Sequence, residues 1–302
     1  SLTQRLYAEL SARGHEISIE FDINDTVAEQ AVALFRPQLV VAPYLRRAIP
    51  ESIWSKYVCL IVHPGVVGDR GPSALDWAIQ EGERGWGVTV LQAEAEMDAG
   101  PVWASANFRM RQGRKASLYR NEVTEAASQA LLEAVAKFEA TGKPTPLAQA
   151  EGRGRLRPLM RQADRAIDWL RDSSDTVLRK IDAADGFPGV ADELFGERCH
   201  VFDAWRETKV SRGDTPPGGV IGRRETALLR ATADGAVWIG HVKRRDGIKL
   251  PATVAFAEQA AAMPELPLDG WWSADHATWQ DIRYEEAEGV GFLHFDFYNG
   301  AM

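Results

Sequence analysis

Val58-Cys59-Leu60-Ile61-Val62-His63-Pro64-Gly65 decides the fold reading. An apolar run reaches a His and then a Pro-Gly turn, the pattern of a buried strand that ends on a tight loop. Outward from it, the glycine turn continues as Gly68-Asp69-Arg70-Gly71-Pro72-Ser73, and Ser73 to Gln80 has helical spacing. Trp86 to Gln92 reads as a second strand, with Val102 to Phe108 expected to pair with it. Upstream, Leu39 to Ala42 reads as a short buried strand, and Ile17 to Phe21 alternates as a strand does. Leu2 to Arg13 and Thr26 to Phe35 are helical, ended by Gly14 and Pro37, and Leu118 to Glu139 is a long amphipathic helix. Strand and helix alternate, which predicts an α/β sheet with ligands where loops leave the strand C-termini.

Composition changes at residues 141–160, which are rich in Gly, Pro and Arg and read as a linker. A short helix over Asp175 to Asp182 is followed by β patterns at Arg198 to Ala204, Ala227 to Thr232, Ala236 to Val242 and Ile248 to Thr253. Turn signals at Pro217-Gly218-Gly219, Asp234-Gly235 and Asp246-Gly247 separate them. Short strands with frequent turns predict a small OB-like β-barrel. Residues 260–280 are Pro- and Trp-rich and lead to a last strand, Gly289 to Met302. The expected domains are therefore 1–145, a linker at 146–160, a barrel at 161–258, and a linker with the start of another domain at 259–302.

Both ends read as cut, so a strand before Ser1 and a domain after Met302 are expected. The chain has 302 residues, 45% apolar and 26% charged, as a globular protein does. A formal net charge of -8 argues against a wide nucleic-acid surface. Cys59 and Cys199 are far apart and form no metal-ligand pair, so no metal is expected and a reducing cytoplasm fits. No signal peptide is expected, and the sequence holds no apolar run of a membrane-spanning length, about 18 residues.

Two residues carry the chemistry. His63 sits at a strand end, well placed for substrate contact, although a His capping the turn has the same spacing. Asp98, in Met97-Asp98-Ala99-Gly100-Pro101, also follows a strand. An Asp before Gly-Pro is commonly a turn former, but with His63 it holds an imidazole in one tautomer and favours its protonated form. Such a pair moves a proton at neutral pH during attack on a carbonyl carbon. Asp69 and Arg70 read as a solvated turn salt bridge, Ser73 as a helix cap, and Cys59, Trp77 and Trp86 as core.

With these residues the chain resembles the 10-formyltetrahydrofolate-dependent formyltransferases. The likeness rests on His63, on Gly71-Pro72-Ser73-Ala74-Leu75-Asp76-Trp77-Ala78-Ile79, on Trp86-Gly87-Val88-Thr89-Val90 and on Asp98-Ala99-Gly100-Pro101. Ile167-Asp168-Trp169 and Gly186-Phe187-Pro188-Gly189 are similar to the C-terminal barrel of methionyl-tRNA formyltransferases. One departure matters: the family places an Asn two residues before the His, and Ile61 stands here, which donates nothing. The order of parts, His-Pro-Gly…Gly-Asp-Arg-Gly-Pro-Ser and the closing Phe-Asp-Phe-Tyr-Asn-Gly-Ala-Met resemble HoxX-type hydrogenase maturation proteins, in which a crotonase-like domain follows.

The resemblance implies a Rossmann-like sheet and then an OB-like barrel. It implies formyl transfer from 10-formyltetrahydrofolate to coenzyme A, the first step toward the CO ligand of a nickel–iron hydrogenase, with other maturation proteins as partners. Folate is expected against Tyr44, Leu45, Arg46, Ile61, Pro64, Gly65 and Ser73, with His63 and Asp98 catalytic. Arg46 and Arg47 would meet the folate glutamate or a CoA phosphate, unless they are merely solvated. The competing readings are a folate-binding module without turnover and methionyl-tRNA formyltransferase itself.

Overall fold

The computed structural model describes residues 2–21, 23–45, 47–144, 154–268 and 276–295. They fall into two compact units. The first runs to Leu159, except for Ile79–Gly82 and Gly113–Ala116, which group with the second from Met160 onward.

The first unit follows the order α1 (Leu2–Ala12), α2 (Asp25–Phe35), β1 (Leu39–Ala42), α3 (Glu51–Trp54), β2 (Val58–His63), α4 (Ala74–Glu81), β3 (Gly85–Gln92), β4 (Val102–Arg109), α5 (Lys115–Leu118) and α6 (Thr124–Thr141). Asn24 caps α2 by accepting the Val27 N–H at 2.9 Å, which is why that helix starts there. The strands form one sheet in the order β1-β2-β3-β4, parallel between β1 and β2 and antiparallel after that. Because β1 and β2 are parallel, with Ala42 opposite Ile61, the loops that follow them leave from one edge. Ile53, Cys59, Ile61, Leu91 and Ala93 form a core cluster, against which Ala28 and Val32 of α2 pack. α6 packs on β3 and β4, and the Trp103 and Phe138 rings lie 6.0 Å apart.

Three expectations change here. Ile17 to Phe21 pairs with nothing among the described residues, and Ile19 and Phe21 are 46% and 79% exposed. Alternation sets a backbone shape, but a strand also needs an edge to bond. β1 is half-buried rather than buried, being at the sheet's end. The helix expected over Leu118 to Glu139 contains a π turn at Tyr119–Val123, where the Thr124 hydroxyl donates to the Tyr119 carbonyl at 2.7 Å.

In the second unit come α7 (Ser174–Ala183), β5 (Val190–Leu194), β6 (Glu197–Glu207), β7 (Val220–Arg224), β8 (Ala227–Ala231), β9 (Ala236–Arg244), β10 (Lys249–Pro251), α8 (Ala252–Ala255), α9 (Ala257–Ala261), β11 (Ile282–Ala287) and β12 (Val290–Phe295). An antiparallel sheet runs β5-β6-β9-β8-β7, with β10 beside β9; its two end strands do not bond each other among the described residues, so it is an open OB-like sheet. Val177 and Ile181 of α7 pack on Val201, Leu228 and Ile239 in its core. The strand expected over Ile248 to Thr253 stops at Pro251, and Thr253 is helical.

Residues 276–281, read as linker, are instead fitted to this sheet: Trp279 is 4% exposed and packs with Ala227, Leu229 and Trp238. The last strand is half of an exposed hairpin, β11 with β12. Residues 296–302, which hold most of the closing motif, lie outside the described residues.

Candidate active site

β2 delivers His63 to the C-terminal edge of the first sheet, where the ring is 5% exposed. The turn after it is pinned from β3. The Pro64 carbonyl accepts the Trp86 indole N–H at 2.9 Å, and the Gly65 carbonyl accepts the Thr89 hydroxyl at 2.8 Å. A side chain at Gly65 would come within 2.4 Å of the His63 ring and 2.7 Å of Asp69, so glycine is required for the turn to fold back on the imidazole.

Asp98 reaches the ring from the loop after β3, in a left-handed conformation with φ 54°. Its Oδ2 lies 3.5 Å from His63 Nδ1 and accepts the Gly71 N–H at 3.1 Å. The structure thus brings the two expected catalytic residues together, and the backbone amide fixes the carboxylate beside the ring.

A second carboxylate was missed by sequence reasoning. Asp69 is no solvated salt bridge: it is 2% exposed, and its Oδ1 lies 3.0 Å from His63 Nε2. Arg70, its expected partner, pairs with Glu96 at 2.6 Å instead. The other Asp69 oxygen, Oδ2, is buried without a hydrogen bond and stands 3.9 Å from Arg157 Nε.

Arg157 comes from the segment expected to be linker. Residues 154–157 run along the glycine turn instead, with Gly154 N–H to the Val67 carbonyl at 3.1 Å, Arg70 N–H to the Arg155 carbonyl at 3.2 Å and Arg157 N–H to the Arg70 carbonyl at 2.9 Å. Trp77 donates to the Pro158 carbonyl at 2.9 Å, and the Arg157 guanidinium lies 5.4 Å from the Trp86 ring centre. Gly and Arg in a low-apolar stretch look like linker in a sequence. Here glycine is what permits the approach, since a Cβ at Gly154 would fall 1.7 Å from the Asp69 nitrogen.

The remaining expected residues are placed as follows. Tyr44 and Leu45, on the loop after β1 and at the edge shared with His63, are 74% and 39% exposed. Arg46 lies outside the described residues. Arg47 is engaged elsewhere, donating to Asp25 and to the Ile23 carbonyl. Ile61 is 9% exposed and belongs to the core cluster, so it offers a ligand no polar atom. Ser73 is 7% exposed at the start of α4, where its carbonyl accepts the Trp77 N–H at 3.0 Å. Burial pushes the Cys59 thiol up to about 12, which removes it as a nucleophile at neutral pH. No group of three or more His, Cys, Asp or Glu suited to a metal occurs among the described residues.

This geometry can be set beside known proteins. Residues 20–135 match the formyl transferase family, and residues 159–260 match its C-terminal domain. A methionyl-tRNA formyltransferase of Roseiflexus castenholzii is 31% identical over 235 residues, 76% of this chain and 73% of that protein. The chain belongs to the formyl transferase family. Another relative, the hydrogenase maturation factor HoxX of Bradyrhizobium diazoefficiens, is 53% identical over 305 residues, covering 100% of this chain and 52% of that one. Among solved structures, HypX of Aquifex aeolicus in complex with tetrahydrofolic acid superposes with a TM-score of 0.88 at 46% identity, over 100% of this chain and 53% of that one. The chain therefore spans about half the length of its HoxX and HypX relatives. Neither matched segment of the formyl transferase family includes Arg157.

Proposed function

We propose that the chain transfers a formyl group from 10-formyltetrahydrofolate to coenzyme A, as the first step in making the CO ligand of a nickel–iron hydrogenase. The observation that carries the reading is His63 set beside Asp98 on a glycine turn at a strand-end edge. The HypX relative is a complex with tetrahydrofolic acid, and the HoxX relative is a hydrogenase maturation factor, which supports both the donor and the setting.

The donor, when bound, supplies an electrophilic one-carbon unit. Tyr44, Leu45, Pro64, Gly65 and Ser73 border it, with Ile61 as an apolar wall. His63 meets the oxygen on which charge develops and returns a proton to the departing nitrogen, and Asp98 holds the ring for both tasks. A thiol is already partly thiolate at neutral pH, so its attack needs less help than an amine's, and Ile61 in place of a donor is tolerable. The proposed setting is the cytoplasm, with other hydrogenase maturation proteins as partners. The two domains are proposed as the formyl-transfer unit, which carries the docked arm at 154–157, and the open-sheet unit from Met160, on which residues 276–281 also pack.

The burial of Ile61 favours one alternative, folate binding without turnover. Incubating the full-length protein with 10-formyltetrahydrofolate, with and without CoA, separates the two. CoA-dependent release of tetrahydrofolate, followed by CO, supports the proposal. Folate binding with no tetrahydrofolate released in either arm contradicts it.

A further inference from the structure

His63 has an acid on each side. Its Nδ1 faces Asp98 at 3.5 Å and its Nε2 faces Asp69 at 3.0 Å, with the Asp69 side chain fully buried. A neutral imidazole has one N–H and one bare lone pair. Between two carboxylates it would turn that lone pair on an oxygen, which repels it. A ring with both N–H groups satisfies both sides.

The Arg157 guanidinium is itself buried, at 8% exposure. Arg157 stands 3.9 Å from the unpartnered Asp69 oxygen, about 1 Å beyond the reach of a charge-assisted hydrogen bond. Asp69 therefore has one partner in hand and a second close by.

We propose that Asp69 is a positioning residue of the transfer site: it holds the Nε2 proton of a doubly protonated His63 until the formyl oxygen takes its place, and Arg157 then receives its carboxylate. The proposal rests on the formyl-transfer reading and gives it a starting state. His63 begins as an acid, which supplies the donor that Ile61 lacks.

The balance follows. The acceptor thiol loses its proton to solvent, and its sulfur bonds the formyl carbon as the carbonyl electron pair moves to oxygen beside Nε2–H. The pair returns, the bond from carbon to the folate nitrogen breaks with its electrons on nitrogen, and that nitrogen takes the His63 proton. Solvent then reprotonates the ring.

The test uses the full-length protein labelled with nitrogen-15 in its histidines, with His63→Gln assigning the His63 signals. At neutral pH both His63 nitrogens should resonate as protonated. Asp69→Asn should return Nε2 to the bare state and lower kcat by about tenfold or more, with KM for the folate donor little changed. Arg157→Ala should lower kcat likewise, and Arg157→Lys should restore most of it. A wild-type ring with one bare nitrogen overturns the proposal, and so does an Asp69→Asn protein with unchanged ring signals and unchanged kcat. The ring signals need no turnover, so they judge Asp69 even if formyl transfer itself is not found.

Discussion

Burial changes what a single carboxyl does. In the second unit, desolvation pushes Asp182 up to about 7, and the charge of Asp185 adds to it. Between about pH 4 and 7 the unfolded chain ionises this group while the folded chain keeps its proton, so stability falls as pH rises through that window. Asp182→Asn should therefore stabilise the fold at pH 8 by an amount on the order of 1 kcal/mol, read as a higher melting temperature, and change little at pH 4. A gain that is equal at both values would show that the carboxyl is already ionised in the fold. Burial likewise separates what was legible at the candidate site. His63 and Asp98 were legible because each follows an apolar run and sits on a Gly/Pro turn. Asp69 was not, because its burial is imposed by Gly154 and Arg157, which reach it only in the folded chain.

At the level of elements, the arm at residues 154–157 and the glycine turn make one unit. Gly71 has φ 112°, and a Cβ there would lie 2.1 Å from the Arg157 carbonyl. Gly71→Ala should cost about 1–3 kcal/mol and detach the arm. Thermal unfolding and protease cleavage near residue 154 would read both effects. Gly85→Ala, whose Cβ would meet nothing nearer than 4.0 Å, should change neither. A Gly71→Ala protein as stable and as protease-resistant as wild type would mean that the arm is not held this way.

Most strands of the first sheet could be read from apolar runs, because β2 and β3 are buried along most of their length. β5 and β7 escaped notice. β5 carries Asp192 and Glu193 side by side, and β7 carries a Gly and two Arg, so neither has a continuous apolar pattern. The π turn and the docked arm depend on side-chain hydrogen bonds and close backbone approach, which no periodicity reports.

For the whole molecule, the order of an α/β sheet followed by an open antiparallel sheet agrees with the two family segments at 20–135 and 159–260. No helix among the described residues is long and apolar enough to cross a membrane. The chain spans about half of its HoxX and HypX relatives, so the proposed CO release belongs to the full-length protein. The proposed formyl-transfer step falls to the first unit, and to the His63 ring within it. The most direct measurement is tetrahydrofolate formation from 10-formyltetrahydrofolate and CoA by the full-length protein, wild type against His63→Ala. The account requires CoA-dependent formation in the wild type and a loss of about a hundredfold or more in the variant, with the donor still bound. Undiminished tetrahydrofolate formation by the His63→Ala protein would contradict it.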